Sequence, residues 1–248
     1  RGVLLRELTE LYDAATTGRD DVLPNLSIQY ADYAAWQRSY LDGEVLTSQV
    51  EFWKEELVTA LVPLELPTDR PRPTMQSFRG GRIGYTLPEE LTEAIHQLNQ
   101  EQNTTLFMTL LAAFQTLLYR YSGQAQFTVG TPIAGRNRSE IESLIGFFIN
   151  TLVIKADFEN DLTFIELLEQ IKQRTLNAYS HQDVPFERLV DELRPQRDLS
   201  RSPLFQVLFA LQNAPLPDVE LPDGLSLAPL EIESEISRFE LELHAWEQ

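Results

Sequence analysis

The chain has 248 residues, with 20 Lys+Arg against 38 Asp+Glu and a formal net charge of −18. That excess of anions argues against a general nucleic-acid binder, which needs clustered cations facing phosphate, and against binding to an anionic membrane surface. There is no cysteine, which removes disulfides, thiolate nucleophiles, zinc–thiolate sites and iron–sulfur clusters, and the three histidines, His96, His181 and His244, stand far apart.

In chain order, Val3, Leu4, Leu8, Leu11 and Tyr12 fall near helical spacing, so residues 1–12 are predicted to form an amphipathic helix that Gly18 stops. Residues 30–41 and 47–61 read as two further helices split by the Asp42-Gly43 turn. Val50, Trp53, Leu57 and Leu61 share one face of the second. Pro63, Pro67, Pro71 and Pro73 follow in close succession. Proline at that density ends both helix and central strand, so 63–76 is predicted to be an extended, stiff linker. The expected division is 1–62 as the helical tail of a first lobe, 63–76 as the linker, and 77–248 as a second lobe.

Beyond the linker the pattern alternates between strand and helix. Residues 82–87 read as a short strand and 89–102 as an amphipathic helix with Leu91, Ile95 and Leu98 inward. Residues 105–121 are apolar nearly all round, which places that helix in the core. Thr109, Gln115, Thr116 and Arg120 interrupt the apolar run and favour a buried helix over a membrane span. A strand is predicted over 127–131, and another over 148–155 with Phe148, Asn150, Leu152 and Ile154 on one face. Thr163 is placed to cap a helix whose inner face is Phe164, Leu167, Leu168, Ile171 and Ala178. A further helix runs to about Leu193 and takes Pro185 in its first turn. Residues 204–212 read as a strong strand. Residues 238–245 read as a last one, with Phe239, Leu241 and Leu243 on an apolar face short of a neighbour. The expectation is an α/β chain that breaks off in or just after a strand. No signal peptide is visible, so the cytoplasm is the default location.

Generic chemical signatures are sparse. There is no phosphate-binding glycine loop, no G-x-S-x-G elbow and no pair of histidines one helical turn apart. Two segments are richer. His181 to Glu187 sets an imidazole, an amide and two carboxylates at the entry of a helix that Asp183 is placed to cap. Alone, His181 reads as a structural hydrogen-bonding residue, because a general base needs a partner and a cleft. Arg197 and Arg201 flank Asp198 ahead of a strong strand, a pattern that suits a local ion-pair network fixing a loop.

Taken together these segments resemble the condensation domain of non-ribosomal peptide synthetases. Tyr30-Ala31-Asp32-Tyr33-Ala34-Ala35-Trp36 looks like its Y-x-D-Y-A-x-W motif. Ile145-Gly146-Phe147-Phe148-Ile149-Asn150-Thr151 looks like I-G-x-F-V-N-T, and 181–187 matches H-Q-D-x-P-F-E. Residues 197–204 match R-D-x-S-R-N-P-L except that Ser202 replaces the usual Asn, and 130–136 also reads as a segment of that family.

The resemblance implies a chloramphenicol-acetyltransferase-like, two-lobed α/β fold with a tunnel between the lobes, of which this chain holds most of the C-terminal lobe. It implies joining of two thioesters carried on the phosphopantetheine arms of donor and acceptor peptidyl carrier proteins, with neighbouring synthetase domains as further partners. It implies no cofactor or metal bound directly. Asn150, His181, Asp183, Arg197, Arg201 and Ser202 are its tunnel or motif candidates here. The family's H-H-x-x-x-D-G motif is missing: the only Asp-Gly pairs are Asp42-Gly43 and Asp223-Gly224, and neither follows a His-His pair. That motif is expected upstream of Arg1, so no catalytic residue is assigned and the fragment alone is expected to be inactive. Two other readings stand beside this one, a carrier-docking module without catalysis and a same-fold acyltransferase with an alcohol acceptor.

Overall fold

Local signals shape the first eighty residues. The computed structural model describes residues 2–20, 23–194, 198–212, 225 and 235–247. Helix α1 spans Gly2–Thr17, α2 Tyr30–Tyr40 and α3 Gly43–Leu57. α1 outruns its apolar pattern and stops where Gly18 turns to φ 69°. α3 starts four residues before the periodicity implies, because the Asp42 carboxylate accepts the Gly43 N–H at 2.8 Å and caps the helix. Val50, Trp53 and Leu57 are buried as predicted, and Leu61 lies half-buried past the helix end.

Residues 61–88 contain no helix and, apart from a single bridge of Arg79 to Ile236, no strand pairing. The strand predicted over 82–87 does not form; Ile83 is 96% and Tyr85 84% exposed. Alternating side chains do not make a strand unless a neighbour takes up the backbone N–H and C=O groups, and no described strand lies beside this segment.

Among the described residues four strands make one sheet: β1 (Gln126–Ile133), β2 (Asn150–Asp157), β3 (Val207–Gln212) and β4 (Leu241–Trp246), in the order β2-β1-β3-β4. β1 and β2 are antiparallel, while β3 runs parallel to β1 and β4 parallel to β3. The predicted strands at 148, 204 and 238 each begin two or three residues later, at Asn150, Val207 and Leu241. The remaining helices are α4 (Glu89–Gln102), α5 (Leu106–Ser122), the short α6 (Ser139–Glu142), α7 (Phe164–Ser180) and α8 (Phe186–Leu193). This is the mixed α/β class read from the pattern.

Caps explain two helix starts. Thr105 accepts the Met108 N–H ahead of α5. Thr163 and Glu166 form a reciprocal capping box ahead of α7. α5 and α7 pack side by side, and Phe107 and Phe114 of α5 lie against Phe209 of β3 at ring distances of 5.4 and 6.0 Å. One apolar cluster unites Trp53 and Leu57 of α3, Leu111 and Leu118 of α5, Phe127 and Val129 of β1, Leu168 and Ile171 of α7, and Phe205 with Phe209. α3 therefore shares its core with the sheet.

Three inward assignments change. Leu91 is exposed and α4 turns Asn99 inward instead, where the side-chain carbonyl accepts the Thr109 hydroxyl at 2.5 Å. Phe164 is 39% exposed in the first turn of α7, and Leu117 and Tyr121 leave part of α5 open. On β4, Leu241 and Leu243 are each 39% exposed.

Two polar features inside this packing carry consequences. Asp157, at the end of β2, meets Arg174 of α7 at 3.2 Å and Lys155 at 3.4 Å, and Arg174 also reaches Glu56 of α3 at 3.4 Å. Burial pulls the Asp157 carboxyl up, but the Glu159 N–H, Arg174 and Lys155 outweigh it and hold its pKa below the ordinary value. A depressed folded pKa means the stabilisation is complete above the unfolded value of about 3.9 and is lost as pH falls through the folded value. Asp157→Asn is therefore expected to flatten the fall of melting temperature below about pH 4; acid limbs that superimpose would contradict this.

Gln115 of α5 is fully buried, and neither amide atom has a hydrogen-bond partner among the described residues. A buried amide without protein partners carries a desolvation cost of about 1–3 kcal/mol. Gln115→Met keeps the length and removes both polar atoms. It is expected to leave unchanged or raise the midpoint of denaturant unfolding, and a clear drop would count against this account.

Candidate functional site

Asn150, the first residue of β2, makes four hydrogen bonds. Its amide nitrogen donates to the carbonyls of Gln182 at 2.9 Å and Val184 at 2.8 Å. Its oxygen accepts the N–H groups of Thr151 at 2.8 Å and Phe186 at 3.0 Å. One side chain thus satisfies two carbonyls of the 181–185 turn and one of the orphan N–H groups that open α8. Asp183 does not cap α8: the N-cap position is Pro185, without a side-chain cap bond, and Asn150 supplies the acceptor from another strand. A cap read from neighbouring residues was displaced by a tertiary one.

α3 closes over the same turn. Gln49 grips Asp183 twice, donating to its carboxylate at 3.1 Å and accepting its N–H at 3.2 Å. The Phe52 ring stacks on His181 at 3.8 Å and 8°. The buried Trp53 donates its indole N–H to the His181 carbonyl at 2.9 Å. His181 ends α7, and its Nδ1 lies 2.8 Å from the Asn177 carbonyl. A carbonyl only accepts, so Nδ1 carries a proton in this contact.

α2 docks onto the segment before β2. The Tyr30 hydroxyl donates to the Phe147 carbonyl at 2.9 Å, and a side chain at Gly146 would collide with the Tyr30 ring. Tyr33 lies 4.8 Å from Phe148. Burial, and then the charges of Tyr30 and Asp183, raise the Tyr33 pKa against an opposing effect of Arg138. Arg136 sits 4.3 Å over the Phe148 ring and donates to the carbonyls of Ile141, Glu142 and Leu144. Arg138 lies 4.3 Å over Trp36. Ile141, Leu144 and Phe148 form a small second core with Ile28 and Tyr33. The segments at 30–36, 145–151 and 181–187 thus converge on one region.

The model of the condensation domain family matches residues 1–248. This chain belongs to that family. A linear gramicidin synthase subunit from Brevibacillus parabrevis is 53% identical over 233 residues, covering 94% of this chain and 3% of the relative. Malpinin synthetase of Mortierella alpina is 47% identical over 247 residues, covering 100% of this chain and 3% of the relative. Among solved structures, the complex of the X-domain and OxyB from teicoplanin biosynthesis superposes with a TM-score of 0.83 at 29% identity, over 94% of this chain and 52% of that one. A four-domain nonribosomal peptide synthetase bound to AMP and glycine gives 0.76 at 27% identity, over 85% of this chain and 16% of that one. The condensation-domain fold is thus the chloramphenicol-acetyltransferase-like α/β fold read from the motifs. The chain spans 3% of the length of these two curated relatives.

Within this condensation-domain chain the five described motif residues fall into two groups. Asn150, His181 and Asp183 meet around the 181–185 turn. Arg201 pairs with Glu65 at 2.5 Å and with Asp198 at 3.4 Å, and the Ser202 carbonyl accepts the Gln206 side-chain N–H at 3.2 Å. Arg197 lies outside the described residues. Sequence reasoning missed Gln49 and Phe52, whose signal was weak: a polar and an aromatic residue beside Trp53 on a helix taken as belonging to another lobe. Groups of His, Cys, Asp or Glu able to hold a metal are absent among the described residues, and no described helix is long and apolar enough to cross a membrane.

Asn150→Ala is expected to lower stability by about 2–6 kcal/mol, the order expected for losing four part-buried hydrogen bonds at about 0.5–1.5 kcal/mol each. Thermal unfolding measures it, and a shift within error would show that the bracket is dispensable.

Proposed function

We propose that this chain is part of a condensation domain that joins two carrier-tethered aminoacyl or peptidyl thioesters through a peptide bond in non-ribosomal peptide synthesis. The observation that supports the reading most is the family match over the whole chain, with three of its motif segments meeting in one region. In the reaction the acceptor's α-amine attacks the donor thioester carbonyl. A C–N bond forms, the C–S bond breaks, and the amine proton ends on the departing pantetheine thiol. The thioester is already activated, so holding the two arms in register is a large part of the task.

In this reading the base, or the group that orients the amine, lies in the His-His motif that these 248 residues lack. Asn150, His181, Asp183, Arg197, Arg201 and Ser202 then shape the C-terminal lobe, with 1–62 and 63–76 as the tail of the first lobe and the linker. Peptidyl carrier proteins are the partners, and their phosphopantetheine arms bring the reacting groups. The stacked, backbone-bonded ring of His181 supports a structural role for it.

The test is dipeptide formation between two loaded carrier proteins in the complete synthetase. His181→Ala is expected to slow single-turnover condensation only mildly, whereas loss of a general base costs about 10²–10⁴. A loss on the order of 10³ with unchanged melting would make His181 a catalytic residue. Carrier binding without product would favour a docking module, and ester formation with an alcohol acceptor would favour the related acyltransferase. The 248-residue chain alone is expected to give no product above the uncatalysed rate.

A further inference from the structure

The proline-rich stretch invites the role of a hinge, because four prolines exclude it from helix and central strand. Its contacts say otherwise. At the start, the buried Leu64 N–H donates to the Gln206 side chain at 2.7 Å, and the Glu65 N–H donates to that of Gln124 at 2.6 Å. Gln124 in turn donates to the Pro63 carbonyl at 3.1 Å. At the far end, the Gln76 N–H donates to Leu199 O at 3.1 Å and its side chain to Arg238 O at 2.7 Å. The Gly80 N–H donates to Glu235 O at 2.8 Å, and the Ser237 N–H to Phe78 O at 2.9 Å. A Cβ at Gly80 would press on Ser237.

Between these anchors lie five charged groups. Arg72 pairs with Glu240 at 2.8 Å and donates to Ser200 O at 3.4 Å. Arg201 bridges Glu65 at 2.5 Å and Asp198 at 3.4 Å. Arg72 and Glu240 are 24% and 18% exposed, so solvent screens this pair less than an open surface pair, whereas the Glu65 and Asp198 partners of Arg201 are 61% and 48% exposed. Upstream, α3 is already part of the sheet's core through Val50, Trp53 and Leu57, and Ala60 and Leu64 are buried as well.

We infer that residues 43–80 are a fixed strap of the sheet unit, closed at its charged middle by a clip of Arg72 and Arg201, and do not serve as a hinge. Gln206, Leu199 and Glu240 present its docking groove from the 198–206 segment and the approach to β4. Any relative movement of lobes then pivots outside this span, which moves the pivot ahead of residue 43 and away from the 63–76 linker. That consequence rests on the two-lobed reading given above, but the docking of the strap does not.

Amide hydrogen exchange on the whole chain tests the strap without any activity readout. Leu64, Glu65, Gln76 and Gly80 are expected to exchange at least about tenfold more slowly than in a free chain. Arg72→Met combined with Arg201→Met is expected to speed exchange across 63–80 by about tenfold or more, with the α5 and β1 amides unchanged. Free-chain exchange in the unaltered protein would overturn the strap, and an unaffected double variant would overturn the clip. If the double variant does not fold, salt takes its place: exchange across 63–80 that rises with ionic strength supports the clip, and exchange indifferent to salt overturns it.

Discussion

The four hydrogen bonds of Asn150 set the arrangement of the motif region. An amide has two donors and an oxygen with two lone pairs, so it alone among small side chains can hold two carbonyls and two N–H groups at once. Asn150 spends both kinds on three different pieces of chain: β2, the 181–185 turn and the entry of α8. An aspartate there would face two carbonyls with no proton to give. The turn is then free of the need to cap its own helix, which releases Asp183 to bind Gln49 of α3.

That release has structural consequences along the chain. Because Asp183 faces α3, and Trp53 reaches the His181 carbonyl from the core, α3 is tied to the sheet by both apolar and polar contacts. α2 follows through Tyr30 and Tyr33, which rest on the segment leading into Asn150. Gly135 belongs to the same construction: at φ 63° it turns the chain close against the Phe148 carbonyl, where a side chain has no room. In the 181–187 motif, His181 is held by stacking and a backbone hydrogen bond, and Asp183 by Gln49.

Much of this was legible beforehand. The capping box of Thr163, the inward stripe of α3 and the Asp42 turn are signals written within a few residues, and they appear in the structure. The family resemblance was carried by short ordered motifs, and the match over the whole chain agrees with it. What failed was reasoning that stopped at the nearest neighbour. Asp183 stood in the right place for a local cap, residues 82–87 alternated like a strand, and Leu91 kept helical register with Ile95. Each expectation lacked its partner: a competing acceptor, an adjacent strand, a surface to pack on.

By itself the sequence determined the α/β class, the succession of helices, the proline-rich interruption and the family, because those depend on periodicity, caps and order along the chain. Only the tertiary structure decided that α3 and Leu64 share the sheet's apolar core, and that Asn150 rather than Asp183 opens α8. Those outcomes rest on hydrogen bonds between residues 36 to 142 positions apart. A linear pattern records which groups need a partner, but which distant group supplies it is fixed by how the apolar faces close around the core.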